Sequence, residues 1–356
     1  MYSDISKLCI TVDHTITEAI ARINKNGVGI VLVVNKDRHL VGTVTDGDIR
    51  RAILDNLHLT ASIAILLERK AGTRFAKPFT ALIGQDRDVY LKLLKQHGIL
   101  HLPLLDVNER VAGLVTMEDF VEEGNLSLQA VVMAGGRGSR LYPLTENLPK
   151  PMLPVGDKPL LEIIIGQMRS IGIRKVNVTT HHKPEKISEH FGNGENFDVE
   201  LSYVSENRPL GTAGALGLLN CPTETLLVIN GDILTQVDFR AMLQYHREHD
   251  AELTMAVRSY GMEVPYGVVE CEGSYIRSLK EKPSMKFLVN AGIYLLEPSA
   301  HGCIPAGEHY NMTDLIQHLI SEGRPVVSFP IHEYWLDIGA RAEYEQAQEE
   351  SRKRKF

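Results

Sequence analysis

Cysteine is scarce in this chain, and its four residues show no functional spacing. Cys9, Cys221, Cys271 and Cys303 are scattered over 356 residues without a CxxC or CxxxH arrangement. This distribution is typical of free thiols in a reducing compartment. No stretch reaches the roughly 18 uninterrupted apolar residues of a membrane-spanning helix, and the N-terminus lacks the basic-then-apolar layout of a secretory signal. We therefore predict a cytoplasmic protein that does not use a membrane.

Basic residues are fewer than acidic residues in this chain. The chain has 38 lysines and arginines against 45 aspartates and glutamates, a net charge of −7. A general nucleic-acid binder needs a basic surface for its phosphate contacts, so we predict no nucleic-acid partner. The single basic cluster, residues 352–355, is interpreted as a solvated tail. With 44% apolar and 23% charged residues, the composition is that of a globular protein long enough for two domains.

The first 125 residues contain a duplicated segment. The matching stretches share one offset of 71 residues, that of Thr45 to Thr116: 27–34 with 98–105, and 41–49 with 112–120. Each copy, about 8–60 and 75–125, predicts a helix, an apolar strand, a turn and a second strand, after which a new helix begins. The duplication predicts a domain built from two similar halves.

A Thr-x-x-Asp sequence ends the second strand of both copies, as Thr45 to Asp48 and as Thr116 to Asp119. One interpretation is helix capping, in which the hydroxyl satisfies a free backbone N–H and the carboxylate lies near the positive helix end. The other is ligand binding, because a hydroxyl, free amides and a carboxylate suit a ribose and its phosphates. The recurrence in two copies gives ligand binding more weight than a single instance would, and both interpretations stay open.

Residues 1–125 resemble the CBS-domain pair, a regulatory α+β module whose two copies pack with pseudo-two-fold symmetry. The resemblance implies that AMP, ADP or ATP binds between the copies, where Thr45, Asp48, Thr116 and Asp119 would contact the ribose and phosphates. The alternative is a dimerisation or tethering module with an empty cleft. Because such pairs often associate, the resemblance also implies a homo-oligomer.

A second domain, residues 127–356, follows a short linker, because Gly124 and Asn125 are good helix-stopping residues and Ser127 leads into a new strand. Residues 128–134 predict a buried strand that feeds a loop with three glycines. Glycines let a backbone bend tightly and bring its N–H groups close to an anion. The loop is no P-loop, because no Gly-Lys-Ser/Thr follows it. Prolines also break the helix that a dinucleotide fingerprint requires.

The second domain contains seven short sequence motifs in a defined order along the chain. They are AGGRGSRLYPLTENLPKPMLPVGDKPLLE at 134–162, LGTAG at 210–214, NGD at 230–232, YGVV at 266–269, EKP at 281–283, NAGIY at 290–294 and WLDIG at 335–339. The motifs resemble those of the sugar-1-phosphate nucleotidyltransferase superfamily over residues 128–345. The resemblance implies an α/β fold with a doubly wound, mostly parallel, Rossmann-like sheet. It also implies nucleotidyl transfer from a nucleoside triphosphate to a sugar 1-phosphate.

Nucleotidyl transfer brings two strongly anionic groups together, so positioning and charge neutralisation dominate its catalysis. The attacking phosphate is already ionised at pH 7, and no His–Asp or Ser–His pair stands out as a base. We assign Arg140 to the triphosphate and leaving pyrophosphate, and Lys150 to the α-phosphate. Lys282 is the family position for the sugar phosphate.

Two carboxylates predict a metal site. Asp232 follows a buried strand at the edge where ligands bind in open α/β sheets, and Asp337 lies just after Trp335. Together with phosphate oxygens and waters, two carboxylates can form an octahedral Mg²⁺ site. Asp232 taken alone fits a turn residue equally well, and it is the family resemblance that implies Mg²⁺ binding at both residues. By contrast, His181 and His182 have no third ligand at a useful spacing and are interpreted as structural.

The resemblance implies further contacts with the substrates. Those with the nucleotide are Ala134, Gly135, Gly136, Gly138, Ser139, Leu210, Gly211 and Asn230. Those with the sugar are Gly267, Glu281, Asn290 and Gly292.

The choice of base and sugar rests on finer resemblances. Residues 206–214, ENRPLGTAG, resemble a segment of mannose-1-phosphate guanylyltransferases, which predicts GTP; UTP, CTP and dTTP are alternatives. The preceding CBS pair resembles that of the guanylyltransferases of bacterial legionaminic acid synthesis, which implies glucosamine 1-phosphate. Mannose, glucose and heptose 1-phosphate fit the same motifs. A non-catalytic sensor subunit is the alternative of another class, although all five catalytic residues are present.

Overall fold

The computed structural model describes residues 2, 4–120 and 128–353. The chain divides into two compact units, residues 1–124 (unit 1) and residues 125–356 (unit 2). The predicted linker at 122–127 lies outside the described residues. Within the described ranges, no helix is both long and apolar enough to cross a membrane.

Unit 1 contains two three-stranded sheets of the same design. Its strands are β1 (Cys9–Ile10), β2 (Ile30–Val34), β3 (Leu40–Thr45), β4 (Ala81–Leu82), β5 (His101–Leu105) and β6 (Val111–Thr116). Its helices are α1 (Ile16–Asn26), α2 (Asp46–Leu54), α3 (Ala64–Lys70) and α4 (Arg87–His97), with 3₁₀ turns at Ile5–Lys7 and Met117–Phe120. In each sheet the first two strands are parallel and the last two antiparallel.

The duplication is visible at single backbone positions. Three features recur: the left-handed glycine that ends the first helix, the left-handed residue in the turn, and the irregularity in the antiparallel pairing. They are Gly27 and Gly98, Arg38 and Glu109, and Val33/Val34 and Leu104/Leu105. The offset is 71 residues each time, so the structure confirms the predicted repeat.

The two halves of unit 1 share an apolar cluster. Leu8, Ile30 and Leu32 of the first half pack with Val111 and Leu114 of the second. All five side chains are buried, and burial of one such side chain contributes about 1.5–3 kcal/mol. The repeats therefore form a single body.

Unit 2 is built on a seven-stranded sheet. The strands of unit 2 are β7 (Leu128–Met133), β8 (Pro154–Val155), β9 (Lys158–Pro159), β10 (Lys175–Thr180), β11 (Glu200–Ser205), β12 (Thr225–Asn230), β13 (Ile233–Thr235), β14 (Leu253–Glu263), β15 (Val268–Glu272), β16 (Tyr275–Lys280), β17 (Ser284–Leu296), β18 (Val326–Ile331) and β19 (Trp335–Asp337). The helices are α5 (Leu160–Ser170), α6 (Pro184–Phe191), α7 (Gly211–Gly214), α8 (Phe239–Glu248), α9 (Pro298–His301), α10 (Met312–Ser321) and α11 (Arg341–Ser351). Short 3₁₀ turns lie at Ser139–Leu141, Lys150–Met152, Glu195–Phe197 and Leu216–Leu218.

The sheet order is β11-β10-β7-β12-β17-β14-β18, and β17 alone runs against its neighbours. All other neighbouring pairs are parallel, which confirms the mostly parallel sheet. The apolar sequence of β12 follows from burial on both faces. Leu227 and Ile229 join the core on the α5 side, whereas Leu226 and Val228 join the core on the α10 side.

A two-stranded ribbon extends from the sheet. Residues 258–263 of β14 pair with residues 284–289 of β17, and the β15–β16 hairpin lies between these strands in sequence. We call residues 258–289 the ribbon. Its apolar side chains are about half exposed, for example Tyr260 at 57% and Phe287 at 45%.

The His101 imidazole gives unit 1 a pH-dependent stability. Its Nε2 donates a hydrogen bond to the Val28 carbonyl oxygen at 2.7 Å. Desolvation lowers the pKa of His101 from 6.5 to about 4, although the bond to Val28 and the charge of Asp46 oppose this. Between pH 6.5 and about pH 4, the unfolded chain therefore binds a proton that the folded chain does not. The free energy of unfolding of unit 1 decreases as the pH falls through this range.

We expect His101→Gln to flatten this dependence, because glutamine can still donate to Val28 but does not titrate. The measurement is the Tm of unit 1 by calorimetry of the full chain, at intervals from pH 7 to pH 4. His58→Gln, at an exposed position of the same unit, is the matched control and should keep the wild-type slope. Equal slopes for H101Q and the wild type would show that His101 does not cause the effect.

Candidate functional site

The glycine loop begins where β7 ends. Ala134 is buried, and its N–H donates to Thr179 at the end of the neighbouring strand β10. Gly136 has open space where a Cβ would lie, and Ser139 is exposed at the start of the 3₁₀ turn. The described backbone thus turns away from the sheet without forming a long helix, as the prolines predict.

Gly138 lets this loop fold back on itself. Its φ is +62°, and a Cβ there would lie 2.9 Å from Thr145 Cγ2 and 3.0 Å from Lys150 Cβ. The Thr145 hydroxyl donates to the Gly138 carbonyl at 2.9 Å. A residue larger than glycine would therefore push the loop away from Lys150.

Gly135 makes room for a buried carboxylate that sequence reasoning did not select. A Cβ at Gly135 would lie 2.6 Å from Glu206 Oε1. Glu206 is only 8% exposed, and its Oε2 accepts the Leu210 N–H at 2.9 Å. His181 Nδ1 donates to the Glu206 carbonyl at 2.9 Å, a structural contact as expected. The sequence feature that could have identified Glu206 as a site residue is its place as the first residue of the 206–214 motif.

Lys150 and Asp232 form an ion pair at the carboxyl ends of β7 and β12. Lys150 Nζ lies 2.5 Å from Asp232 Oδ2, and Lys150 is 8% exposed. Asp232 stands in the turn after β12, and the Gly231 N–H ties this turn to the Met133 carbonyl at 2.9 Å. Strand order and register therefore join two residues that are 82 positions apart.

Asp337 reaches the same place through the short β13–β19 pair. Ile233 lies opposite Asp337, and the Ile338 N–H donates to the Asp232 carbonyl at 3.0 Å. Burial, followed by the negative charge of Asp232, raises the pKa of Asp337, whereas Lys150 and Arg140 act to lower it.

Arg140 completes this group. A Cβ at Gly339 would lie 3.7 Å from both Arg140 Nη1 and Asp337 Oδ1, so the guanidinium and the carboxylate flank that glycine. We call Arg140, Lys150, Asp232 and Asp337 the Lys150 cluster. The structure brings together four of the five residues assigned to catalysis.

The two carboxylates suit a divalent cation. Asp232 Oδ1 is buried and has no hydrogen-bond partner in the part of the chain that the structure describes. Asp337 lies close enough for the Asp232 charge to raise its pKa. A cation would satisfy the free oxygen and remove the repulsion, and hard oxygen ligands are those that Mg²⁺ prefers. These residues therefore fit a metal held by Asp232 and Asp337.

Asn230 and Gly292 lie beside this cluster. Gly292 has a φ of +70°, and a Cβ there would lie 2.6 Å from Asn230 Nδ2. Asn290 Oδ1 accepts the Gly292 N–H at 2.9 Å, and Asn290 Nδ2 donates to Tyr294 Oη at 2.7 Å. The Asn290 amide is thus engaged within β17, and its contact with a sugar stays a prediction.

The segment at 210–214 is anchored to the start of α10. The Leu210 carbonyl accepts the Tyr310 N–H at 2.8 Å, and Met312 N–H donates to Thr212 Oγ1 at 2.8 Å. Gly211 has a φ of +81°, and a Cβ there would lie 2.7 Å from the Tyr310 carbonyl oxygen. Leu210 and Gly211 therefore have structural roles, and their nucleotide contacts stay predictions.

The remaining predicted sugar contacts lie on the ribbon. A Cβ at Gly267 would be 3.0 Å from Glu281 Oε2, so these two positions are adjacent. Lys282 is exposed and has a φ of +43°. No hydrogen bond or ion pair among the described residues links Glu281 or Lys282 to the Lys150 cluster.

The Thr-x-x-Asp positions of unit 1 have capping geometry in both copies. The Thr45 N–H donates to Asp48 at 2.8 Å, and the Thr116 N–H donates to Asp119 at 2.8 Å. Asp48 also pairs with Lys70 Nζ at 2.5 Å. Burial alone would raise the pKa of Asp48, but the Lys70 charge and hydrogen bonds hold it below its usual value. Nucleotide contact at these four residues stays a prediction.

Residues 129–354 match the profile of the Nucleotidyl transferase family. The chain belongs to this family. Residues 3–55 and 88–125 match the CBS domain, which confirms the resemblance of the N-terminal repeats.

Several nucleotidyltransferases are similar to this chain in sequence. The UTP–glucose-1-phosphate uridylyltransferase of Synechocystis sp. is 31% identical over 241 residues, which cover 62% of this chain and 62% of that protein. The D-glycero-alpha-D-manno-heptose 1-phosphate guanylyltransferase of Aneurinibacillus thermoaerophilus is 31% identical over 227 residues, which cover 63% of this chain and 98% of that protein. The two relatives are named for different nucleotides and different sugars.

A solved structure supports the fold of unit 2. The Bacillus anthracis crystal structure named for glucose-1-phosphate thymidylyltransferase has a TM-score of 0.53 at 24% identity. The superposed region covers 64% of this chain and 97% of the Bacillus anthracis chain. The predicted α/β fold is thereby confirmed.

We expect Mg²⁺ to stabilise unit 2 through Asp232 and Asp337. A ligand at a hundred times its dissociation constant adds about 2.7 kcal/mol to the free energy of unfolding. The measurement is the Tm of the full chain with Mg²⁺ and with EDTA. Asp337→Asn should abolish the difference, because it removes one charged ligand. Asp198→Asn, at an exposed carboxylate of the same unit, should keep it; an unchanged Mg²⁺ effect in D337N would contradict the site.

Proposed function

We propose that the chain joins GTP and a hexose 1-phosphate to give a GDP-sugar and pyrophosphate. The observation that carries this proposal is the Lys150 cluster beside the glycine loop. Two cations and two carboxylates meet there, and the buried Oδ1 of Asp232 has no hydrogen-bond partner among the described residues. Such a group suits two anionic substrates and one divalent cation.

In the proposed reaction, a phosphate oxygen of the sugar 1-phosphate attacks the α-phosphorus of the nucleotide. The bond from that phosphorus to the bridging oxygen breaks, and pyrophosphate leaves with the electron pair. Arg140 binds the triphosphate and neutralises the leaving group, and Lys150 binds the α-phosphate. Mg²⁺ held by Asp232 and Asp337 supplies further charge neutralisation when bound. No residue needs to remove a proton, because the attacking phosphate is already ionised.

Lys150 also orients the metal ligand. Its Nζ contacts only Oδ2 of Asp232, which leaves Oδ1 free for a cation. The glycine loop packs against the Lys150 stem at Gly138, so the loop that receives the phosphates and the lysine that neutralises them are positioned together. Preorganised charge of this kind is usually the largest part of catalysis.

The ribbon supplies the proposed sugar contacts. Lys282 binds the sugar phosphate, and Glu281, together with Asn290 in β17, contacts the hydroxyls. The glycines at 267 and 292 give the sugar close access to backbone. The adjacency of Gly267 and Glu281 supports this proposal, as does the exposed position of Lys282.

Glu206 supports guanine as the base. Guanine presents two adjacent donors, N1–H and the N2 amino group, and a carboxylate can accept from both. Uracil and thymine present one N–H between two carbonyl oxygens, and the negative charge of a carboxylate is repelled by those oxygens. Glu206 Oε1 faces the glycine loop, and its other oxygen is held by the Leu210 N–H. The guanylyltransferase relative from Aneurinibacillus is consistent with this choice.

We further propose glucosamine 1-phosphate as the sugar, as in the guanylyltransferases of legionaminic acid synthesis. Heptose, mannose and glucose 1-phosphate are the alternatives for the sugar, and UTP, CTP and dTTP are the alternatives for the nucleotide. The five assigned residues favour an enzyme over a non-catalytic sensor. Adenine-nucleotide control through the CBS pair, a homo-oligomeric state and a cytoplasmic location complete the proposal.

We expect pyrophosphate release from the purified chain with Mg²⁺, GTP and glucosamine 1-phosphate. The measurement covers four nucleoside triphosphates against glucosamine, mannose, glucose, galactose and heptose 1-phosphates. Release with another pair would retain the enzyme class and replace the substrate. The series is repeated with AMP, ADP and ATP, and no release in either series would favour the sensor.

We expect Glu206→Gln to lower kcat/KM for GTP by about 10–100-fold, since hydrogen bonds to a charged group contribute about 1.5–3 kcal/mol. The amide oxygen of glutamine can still accept from Leu210, so the loop keeps its anchor. The ratio of kcat/KM for GTP and UTP is the readout, because a purely structural effect lowers both equally. Glu200→Gln, exposed on β11, is the matched control. An unchanged ratio in E206Q would refute base recognition by Glu206.

A further inference from the structure

A cysteine, a histidine and a glutamate converge on the surface of unit 2. Cys303 follows α9, His318 lies in the last turn of α10, and Glu322 lies directly after α10. One ligand atom of each lies within 4.8 Å of the others. Within residues 4–120 and 128–353, this is the single group of at least three such side chains at that spacing.

This group is at the opposite edge of the sheet from the Lys150 cluster. β12 runs from Thr225 toward Asp232, and at its beginning Leu226, Leu296 and Leu253 lie side by side on adjacent strands. Arg324 joins the group to this edge, because its Nη2 lies 2.7 Å from Glu252 Oε2. Five residues of strand, roughly 15 Å, separate the two edges. The group is therefore distinct from the proposed catalytic site.

We propose that Cys303, His318 and Glu322 bind a zinc ion. Sulfur, imidazole nitrogen and carboxylate oxygen are the three ligand types that proteins use for Zn²⁺, and a water would occupy the fourth tetrahedral position. His318 and Glu322 are four residues apart, so they lie on one face of the helix end. His318 Nε2 and Glu322 Oε1 are already 3.5 Å apart.

The charges around the site favour a divalent cation. Binding removes the proton of the Cys303 thiol, and the thiolate and the Glu322 carboxylate then balance the two charges of zinc. Arg324 Nη1 lies 2.9 Å from Cys303 Sγ and 3.9 Å from Glu322 Oε2, and its Nη2 pairs with Glu252, whose carboxylate offsets the positive charge. An N–H donated to the sulfur is compatible with metal binding and orients the ligand.

Access and position define what the ion would do. His318 and Glu322 side chains are 42% and 48% exposed, so zinc can reach them from solvent. Cys303 lies just after α9, and His318 and Glu322 lie at the carboxyl end of α10, with residues 304–311 between Cys303 and α10. A bound ion would cross-link these segments, and its effect would be on stability rather than on chemistry.

The test is a zinc titration of the full chain after chelator treatment, with Mg²⁺ in excess to occupy the carboxylates at the other edge. We expect one zinc per chain at this site, a rise in Tm on zinc addition, and, when Co²⁺ replaces zinc, a thiolate-to-cobalt charge-transfer band. Cys303→Ser and, independently, His318→Gln should weaken zinc binding by at least about tenfold. Both should remove the rise in Tm, and C303S should also remove the band.

Cys221→Ser is the matched control, because Cys221 is an exposed free cysteine of the same unit. C221S should bind zinc as the wild type does. His318→Gln alters a partly exposed side chain, so it tests the site even if C303S fails to fold. Equal zinc affinity in the wild type and H318Q, or a cobalt spectrum without the thiolate band, would overturn the proposal.

Discussion

The parallel register of β7 and β12 is the constraint on which the catalytic edge depends. Met133 lies opposite Asn230, the last residue of β12, and the Gly231 N–H closes the edge by donating to Met133. The side chains of β12 enter two different cores, so a slip of one residue would turn each apolar side chain to the wrong face. Packing in the interior therefore decides where the glycine loop and Asp232 meet.

The charged groups at that edge do not fully satisfy one another. Burial, and after it the negative charge of Asp232, raises the pKa of Asp337, whereas Lys150 and Arg140 act to lower it. Lys150 satisfies one oxygen of Asp232 and leaves the other unpaired. The low exposure of Lys150 strengthens each interaction, because water screens it less. The protein thus retains unsatisfied charge at one point, which is typical of sites that receive charged ligands.

The sequence predicted the fold well because its signals were local and repeated. The 71-residue offset indicated the two similar halves of unit 1, and the family resemblance of the ordered motifs implied the mostly parallel sheet of unit 2. Arg140, Lys150, Asp232 and Asp337 were chosen from three different motifs, and the structure brings them together. Glu206 was missed as a site residue because its importance depends on the space left by Gly135, 71 positions earlier in the chain. Among the described residues, no hydrogen bond or ion pair links Lys282 to the cluster; its place depends on the path of the ribbon, which spacing along the chain does not show.

The anchoring of α10 has a structural consequence. Its first residue, Met312, donates to Thr212, so this end of the helix is joined to the turn that follows Glu206. Its last turn carries His318 at the far edge of the sheet. A ten-residue helix is about 15 Å long. α10 therefore forms one continuous hydrogen-bonded connection between the turn after Glu206 and the surface that carries His318.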